Sequence, residues 1–497
     1  MNIRCSFFFA APLSLLAFFF LILLILHGHF FQFVTTFSAA STTGFSVPTD
    51  RLRTKFFGEN HPHFAVGATG VIHQKNTAER TATRRVRKVE EELAGARASI
   101  RKAAAAASDE DIERSNCTFA TTVGNGDGGF DDGGDHYIPA GDVYRNSRLF
   151  YRSYLEMEKM FKIYVYQDGE LPITHDGPCK DIYSIEGRFI QELEHGVRGG
   201  KFRTHDPNLA HVYFFPFSVT WMVKYLYTPL SYNLTPLKQF VSDYVRVVST
   251  KYPFWNRTLG ADHFMLACHD WAPHASKGNP SLYHNSIRVL CNANTSEGFK
   301  PRKDVSLPEI HLYGGEVSPK LLSPPKDNTP RSYLAFFAGG EHGPIRPILL
   351  HHWKNLNNNN DDDLIRVYEY LPKGMDYYSF LLNSKFCLCP SGHEVASPRI
   401  VESIYAECVP VIISEGYVLP FSDVLRWEAF SVQMDVSDIP RLKDVLSAIP
   451  EERYWKLKEG VRAVRRHFTL NQPAKRYDAF HMILHSIWLR RLNIELN

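Results

Sequence analysis

The sequence predicts an α/β protein: two α/β domains that face a cleft, preceded by a transmembrane helix and a stem. Three observations predict this. From Tyr137 onward, short apolar runs of strand length alternate with helix-like stretches, the pattern of parallel sheets. A cluster of Ser, Pro, Lys, Asp and Asn between Leu321 and Pro330 divides that region into halves of similar size. An uninterrupted apolar run, Phe7 to Leu26, matches the roughly 20 residues that span a bilayer.

The chain has 497 residues, 44% hydrophobic and 13% aromatic, which is enough for two packed domains and unlike a disordered composition. Lys and Arg number 56 against 53 Asp and Glu, and beyond the first third the two signs are interleaved. No basic stripe stands out, so no nucleic-acid partner is expected.

Residues 1–6 read as a cytoplasmic tail and 7–26 as a signal anchor. A cleaved signal peptide is the competing reading, but its apolar core usually runs about 7 to 15 residues and ends in a small-residue cleavage site. Here His27, Gly28, His29 and two Phe follow instead. Arg4 and the terminal amine hold the tail in the cytoplasm and place everything after the span in the lumen. Four Asn-x-Ser/Thr acceptors agree with that placement: Asn116, Asn233, Asn256 and Asn294. All eight cysteines but Cys5 would then be lumenal, an odd number whose pairing cannot be read from spacing. Cys387 and Cys389 read as one face of a buried strand rather than as metal ligands. Residues 27–136 form the stem, in which 79–108 mixes Arg, Lys, Glu and a run of Ala and predicts an exposed helical spacer. Asn125 to Asp135, rich in Gly and Asp, predicts a flexible joint.

The first domain covers 137–325 and the second 326–497, both Rossmann-like in their alternation. In the first, Lys162 to Tyr166, Val212 to Phe217, Phe264 to Cys268 and Ile287 to Leu290 read as strands. Ile182 to Glu194 and Leu237 to Val248 read as helices between them. In the second, the strands are Tyr333 to Ala338, Leu364 to Tyr368, Lys385 to Cys389 and Val409 to Ile413. Its helices are Pro344 to Trp353, Tyr377 to Asn383 and Pro398 to Ala406, and Asn357 to Asp363 is a solvated loop.

The most informative stretch is KFCLCPSGHEVASPRIVESIYAECVPVII, from Lys385 to Ile413. Ser397 and Pro398 supply an N-cap and a first-turn proline, so a helix starts there. Its apolar face is Ile400, Val401, Ile404, Tyr405 and Cys408, while Arg399 and Glu402, three apart, share the other face near its start. Helix-end amides and a guanidinium attract a pyrophosphate, and a carboxylate one turn on can accept from ribose hydroxyls. The plain alternative is an Arg-Glu surface pair, worth about 0.2–0.5 kcal/mol.

In AFFAGGEHGPIR, from Ala335 to Arg346, a strand runs into a Gly-rich turn and then a helix. Gly339 and Gly340 let the backbone approach a phosphate, and Arg346 can complete its neutralisation. The spacing is neither Gly-x-Gly-x-x-Gly nor a P-loop, which argues against dinucleotide oxidoreductases and ATPases. In ADHFMLACHDWAPH, from Ala261, an apolar strand ends in His269, Asp270 and Trp271. Strand carboxyl ends face the ligand crevice in such sheets, so a base there could deprotonate an acceptor hydroxyl beside an aromatic that stacks on sugar. The alternative is a capped strand end with satisfied histidines, and His263 fits that better. No metal site is expected. Asp361 to Asp363 sit in the Asn/Asp loop, and His61/His63 and His351/His352 lack second partners at ligand spacing.

Taken together, YRSYLEMEKMFKIYVY from Tyr151, GADHFMLACHDWAPH from Gly260, DVSLPEIHL from Asp304, LAFFAGGEHGPIRP from Leu334 and the stretch from Lys373 to Ile413 resemble plant exostosin-like proteins of glycosyltransferase family 47. The resemblance covers roughly Asp142 to Leu489. It implies a type II Golgi membrane enzyme of the GT-B fold that inverts the anomeric centre of a nucleotide sugar, building cell-wall or glycoprotein glycans. By position, Arg399 and Glu402 would hold the nucleotide sugar, with Arg346 on the diphosphate. Two departures bear on donor preference: His393 replaces an aromatic, and Glu415-Gly416 an Asp-rich pair.

The expected reaction is direct displacement, with Asp270 the first candidate base and His269 the second, and with Arg399, Arg346 and helix dipoles stabilising the departing diphosphate. The expected partners are a nucleotide sugar, UDP-linked by first expectation, a glycan acceptor, the Golgi membrane and a glycosyltransferase complex. No cofactor is expected. A non-catalytic glycan-binding or scaffold subunit is the rival from another class. A secreted glycoside hydrolase is a third, requiring two opposed carboxylates.

Overall fold

The computed structural model describes residues 68–105, 137–325, 329–354 and 364–494. The expected tail, the span 7–26, the stem up to residue 67, the joint 125–135, Asn116 and the loop 357–363 lie outside them. Among the described residues no helix is long and apolar enough to cross a membrane. The chain forms two compact units. The first, Met1–Asn76, is described only at 68–76, which is helical. The second, Thr77–Asn497, holds both sheets.

The first sheet contains β1 (Ile163–Val165), β2 (Arg203–Thr204), β3 (Val212–Phe215), β4 (His263–Ala267), β5 (Ile287–Leu290) and β6 (Val305–Ser306). Their spatial order is β2-β1-β3-β4-β5-β6, parallel throughout. The second contains β7 (Tyr333–Ala338), β8 (Ile365–Tyr368), β9 (Ser384–Pro390), β10 (Val409–Ile413) and β11 (Val432–Gln433), in the order β11-β10-β9-β7-β8, again parallel. β3, β4, β5 and β10 are buried at every residue, which is why they read as continuous apolar runs rather than alternating ones. The edge strands β2, β6 and β11 have two residues each, too few for any periodicity to show.

The helices that matter for the site are α1 (Ala68–Ala105), α2 (Ser147–Met160), α3 (Ile185–His195), α4 (Val219–Leu226), α5 (Thr235–Lys251), α6 (Ile345–Trp353), α7 (Tyr377–Leu382), α8 (Pro398–Tyr405), α9 (Glu451–Val464) and α10 (Ala479–Leu492). α8 begins where the cap and proline place it. Ser397 is extended at φ −158 and its hydroxyl accepts from the Arg399 N–H, with Pro398 in the first turn.

α1 differs from a free spacer. Val89, Leu93 and Ala96 are buried in the core, and the Arg97 guanidinium donates to the carbonyls of Leu492 and Ile494. Glu90, Glu91 and Glu92, between Val89 and Leu93, hide the apolar stripe from a reading by composition. α10 packs on α2, β5 and β6, so the chain's last helix lies on the first sheet. There the Arg490 Nε donates to the Asp304 carbonyl and the Arg491 Nε to the His211 carbonyl.

Two disulfides fasten this frame. Cys268–Cys291 joins the ends of neighbouring β4 and β5, and Cys387–Cys408 joins β9 to the turn after α8. Cys387 and Cys389 are both buried in β9, but the first is cross-linked and the second is a thiol.

Candidate functional site

The second half gathers its polar groups at the carboxyl ends of β7 and β9. The Arg399 Nη2 donates to the Ala338 carbonyl at 2.9 Å and its Nη1 to the Ser397 hydroxyl at 3.1 Å. Its guanidinium carbon lies 4.8 Å from the Phe337 ring centroid. Burial works against its charge, but Tyr377, Cys389 and Glu402 outweigh that and hold it cationic. Its Nε is buried and has no hydrogen-bond partner among the described residues. Glu402 does not form the plain helical pair with Arg399; it accepts from the Tyr377 hydroxyl at 2.9 Å. Burial raises its carboxyl, with Arg399 and Tyr377 acting in the opposite direction.

Arg346, in the first turn of α6, comes beside Arg399. Its two hydrogen bonds, to the carbonyls of Pro390 and Gly340, are both 3.5 Å long and therefore weak. Burial and the neighbouring Arg399 charge lower its guanidinium to about 10. The loops after β7 and β9 touch to make this possible. Gly343 has φ +69, and a Cβ there would sit 1.8 Å from the Gly392 carbonyl oxygen. A Cβ on Gly339 would reach 2.8 Å from the Arg399 Nη2, and one on Gly340 3.0 Å from the Tyr370 hydroxyl. Ser397, Arg399, Glu402, Arg346, Gly339 and Gly340 are thus one cluster.

The first half presents the segment after β4. Glu186, fully buried at the start of α3, accepts from the backbone N–H groups of Cys268 at 2.7 Å, His269 at 3.1 Å and Thr220 at 3.2 Å, and from the Ser218 hydroxyl. This carboxylate fixes the strand end that carries Asp270. The Asp270 carboxyl is raised by burial, which outweighs the Tyr183 hydroxyl bonded to it. Tyr183 stands at φ +63, a strained position for a residue with a Cβ, and that backbone brings its hydroxyl to Asp270. His269 is held differently. Its Nδ1 accepts the Trp271 N–H at 3.1 Å, so the ring proton sits on Nε2, and burial lowers the ring to about 4. With its acceptor nitrogen occupied, His269 is a donor here, while Asp270 presents a carboxyl. His263 is structural: fully buried, it lies 2.8 Å from both the Tyr166 hydroxyl and Asp262.

Glu309 links the two halves and was not singled out by sequence reasoning. It lies just past β6 at 4% exposure, and burial, Asp270 and Glu402 raise its carboxyl to about 8 against the pull of Arg346 and Arg399. Its carboxyl thus senses residues of both clusters. Its only sequence signal was its place in DVSLPEIHL. A second link is Asn292, whose Nδ2 donates to the Asp270 carbonyl at 3.2 Å and to the Glu394 carboxylate. Burial with Glu297 and Asp270 lifts Glu394 to about 8. His393, one of the two departures, lies 5.3 Å ring to ring from His342 and lowers Asp270 slightly.

The three described glycan acceptors are placed apart from these clusters or at their rim. Asn233 and Asn256 are exposed. Asn294 is half-buried; its Oδ1 accepts from the Ser296 N–H at 3.0 Å and its Nδ2 donates to Glu297 at 3.3 Å.

Residues 157–449 match the family model described as the Exostosin GT47 domain. A protein of Arabidopsis thaliana named "Probable glycosyltransferase At5g25310" is 63% identical over 360 residues, covering 72% of this chain and 73% of the relative. "Probable beta-1,4-xylosyltransferase IRX10", also of Arabidopsis thaliana, is 29% identical over 350 residues, covering 66% and 81%. Among solved structures, a glycosyltransferase from Rickettsia africae ESF-5 aligns with TM-score 0.32 and 9% identity over 63% of this chain and 95% of that one, a likeness too slight to carry an argument. The two parallel-sheet α/β halves and these relatives define a glycosyltransferase. Within that class, the chain belongs to the exostosin GT47 family.

Proposed function

We propose that this glycosyltransferase inverts the anomeric carbon of a UDP-linked sugar and transfers it to a cell-wall polysaccharide or a glycoprotein glycan in the Golgi lumen. The observation that carries the reading is the adjacency of Arg346 and Arg399. Two guanidiniums with long or missing hydrogen bonds repel one another in a half-buried site, and a pyrophosphate would relieve both deficits. In this reading the diphosphate charge is met by these cations rather than by a metal ion, and Glu402 takes the ribose hydroxyls.

The acceptor hydroxyl oxygen attacks the sugar's anomeric carbon as the bond from that carbon to the diphosphate oxygen breaks. Asp270 takes the hydroxyl proton, and the nucleoside diphosphate leaves with the bonding electron pair, stabilised by Arg399 and Arg346. The apolar run 7–26 and the glycan acceptors support a single-pass type II anchor with a lumenal head. Incubating the purified chain with a panel of UDP- and GDP-sugars and measuring released nucleotide tests the reading. Turnover of at least one donor is expected, and none from any donor would favour a scaffold subunit.

A further inference from the structure

A row of half-buried rings leads away from Asp270 across the first half. Tyr183 and His269 have centroids 5.0 Å apart, His269 and Trp271 5.4 Å, and Trp271 and Tyr227 4.7 Å. All four are neither exposed nor fully buried. Beyond Tyr227, whose hydroxyl accepts the Tyr232 N–H, the chain leaves Leu230 and Tyr232 more than four-fifths exposed. Polar groups converge on the inner end of the row. The Trp271 N–H fixes the His269 proton on Nε2, which has no partner among the described residues, and the Tyr183 hydroxyl is bonded to the Asp270 carboxyl. Aromatic walls with a few aimed polar groups are the make-up of a ligand site, and the C–H face of a sugar packs on such rings while its hydroxyls reach the polar groups.

The electrostatics select among sugars. Glu297 acts on Asp270 and Glu394, and Asp270 acts on Glu394 and Glu309, at this end of the row, with Asn292 bonded to two of the carboxyls, Glu297 and Glu394. Arg346 and Arg399, which offset Glu309, belong to the donor cluster. The burial and neighbouring carboxyls that push Glu309 and Glu394 up to about 8 would likewise disfavour the carboxylate of a uronic acid, whereas a neutral sugar brings only hydroxyls.

We infer that Tyr183, Trp271 and Tyr227 form an acceptor track for an uncharged sugar chain, with the His269 Nε2–H holding a hydroxyl of the sugar whose reacting oxygen faces Asp270. This rests on the proposed glycosyl transfer at Asp270 and adds the chemical class of the acceptor. The test is calorimetry on the full-length chain in detergent. The probes are neutral hexasaccharides (xylohexaose, cellohexaose and β-1,4-galactohexaose), hexagalacturonate as the anionic counterpart, and UDP. At least one neutral probe is expected to bind, and hexagalacturonate at least about tenfold more weakly than it. Trp271→Ala and Tyr227→Ala should each weaken the neutral probe about tenfold while leaving UDP affinity within about twofold, and Trp271→Phe should retain most of the binding. Wild-type affinity in both alanine variants, no binding of any neutral probe, or equal affinity for hexagalacturonate would overturn the inference. UDP binding and donor turnover report on the donor site separately, so the track and the transfer reading fail by different results.

Discussion

Tyr377, at the start of α7, donates its hydroxyl to a Glu402 carboxylate oxygen at 2.9 Å, while Arg399, one turn earlier on α8, is held by the Ala338 carbonyl and the Ser397 hydroxyl. Glu402 is thus oriented by Tyr377, while the Arg399 charge acts on it through space. Tyr377→Phe leaves a buried carboxylate one donor short. It should cost about 1 kcal/mol of stability and weaken nucleotide binding severalfold, as read by thermal melting and UDP calorimetry.

Arg399→Ala removes the more firmly bonded member of the guanidinium pair. UDP affinity should fall by about 2–3 kcal/mol, the range for a charge-assisted hydrogen bond, with the head still folded by circular dichroism. Undiminished UDP binding would remove the residue from the donor site.

Asp270→Asn keeps the shape of the strand end and removes the base. Turnover should drop by about two to four orders of magnitude, with UDP affinity unchanged. Burial raises the Asp270 carboxyl, with the Tyr183 bond and His393 pulling the other way. Only the ionised form accepts a proton, so the wild-type rate is full above that raised value and is lost as pH falls through it. A pH–rate profile whose acid limb lay within or below the ordinary aspartate range would count against this role.

Gly343→Ala tests the crossing of the two loops. The new methyl would overlap the Gly392 carbonyl oxygen, at a φ of +69 that disfavours any side chain. The loops must separate, so stability should fall by about 2 kcal/mol or more in a chemical denaturation curve. Arg346 is bonded to Gly340 and packed against Gly392, so UDP affinity should fall with it.

Much of the fold was legible because the strands of these sheets are buried on both faces. β7, β9 and β10 appear as apolar runs with boundaries within two residues of those expected, and Ser397 with Pro398 marks the start of α8 by local chemistry alone. The same local chemistry placed Arg399 and Glu402 on one helix, and motif resemblance pointed to their role. What was hidden has a common cause: it depends on partners distant in sequence. Glu186 draws together N–H groups more than eighty residues away, and Cys268 finds Cys291 only because β4 and β5 are neighbours.

By itself, then, the sequence determined the alternation of strands and helices, the capped helix with its Arg and Glu, and the family to which they belong. Those features arise from backbone geometry and side-chain chemistry acting within one or two turns of chain. Only the tertiary structure decided that Tyr377 bonds Glu402 beside the Arg399 charge, that Arg346 stands beside Arg399 with long hydrogen bonds, and that Glu309 senses both Asp270 and the donor cluster. Burial and Coulomb interactions act through space, and the order in which two sheets stack their strands sets which charges meet.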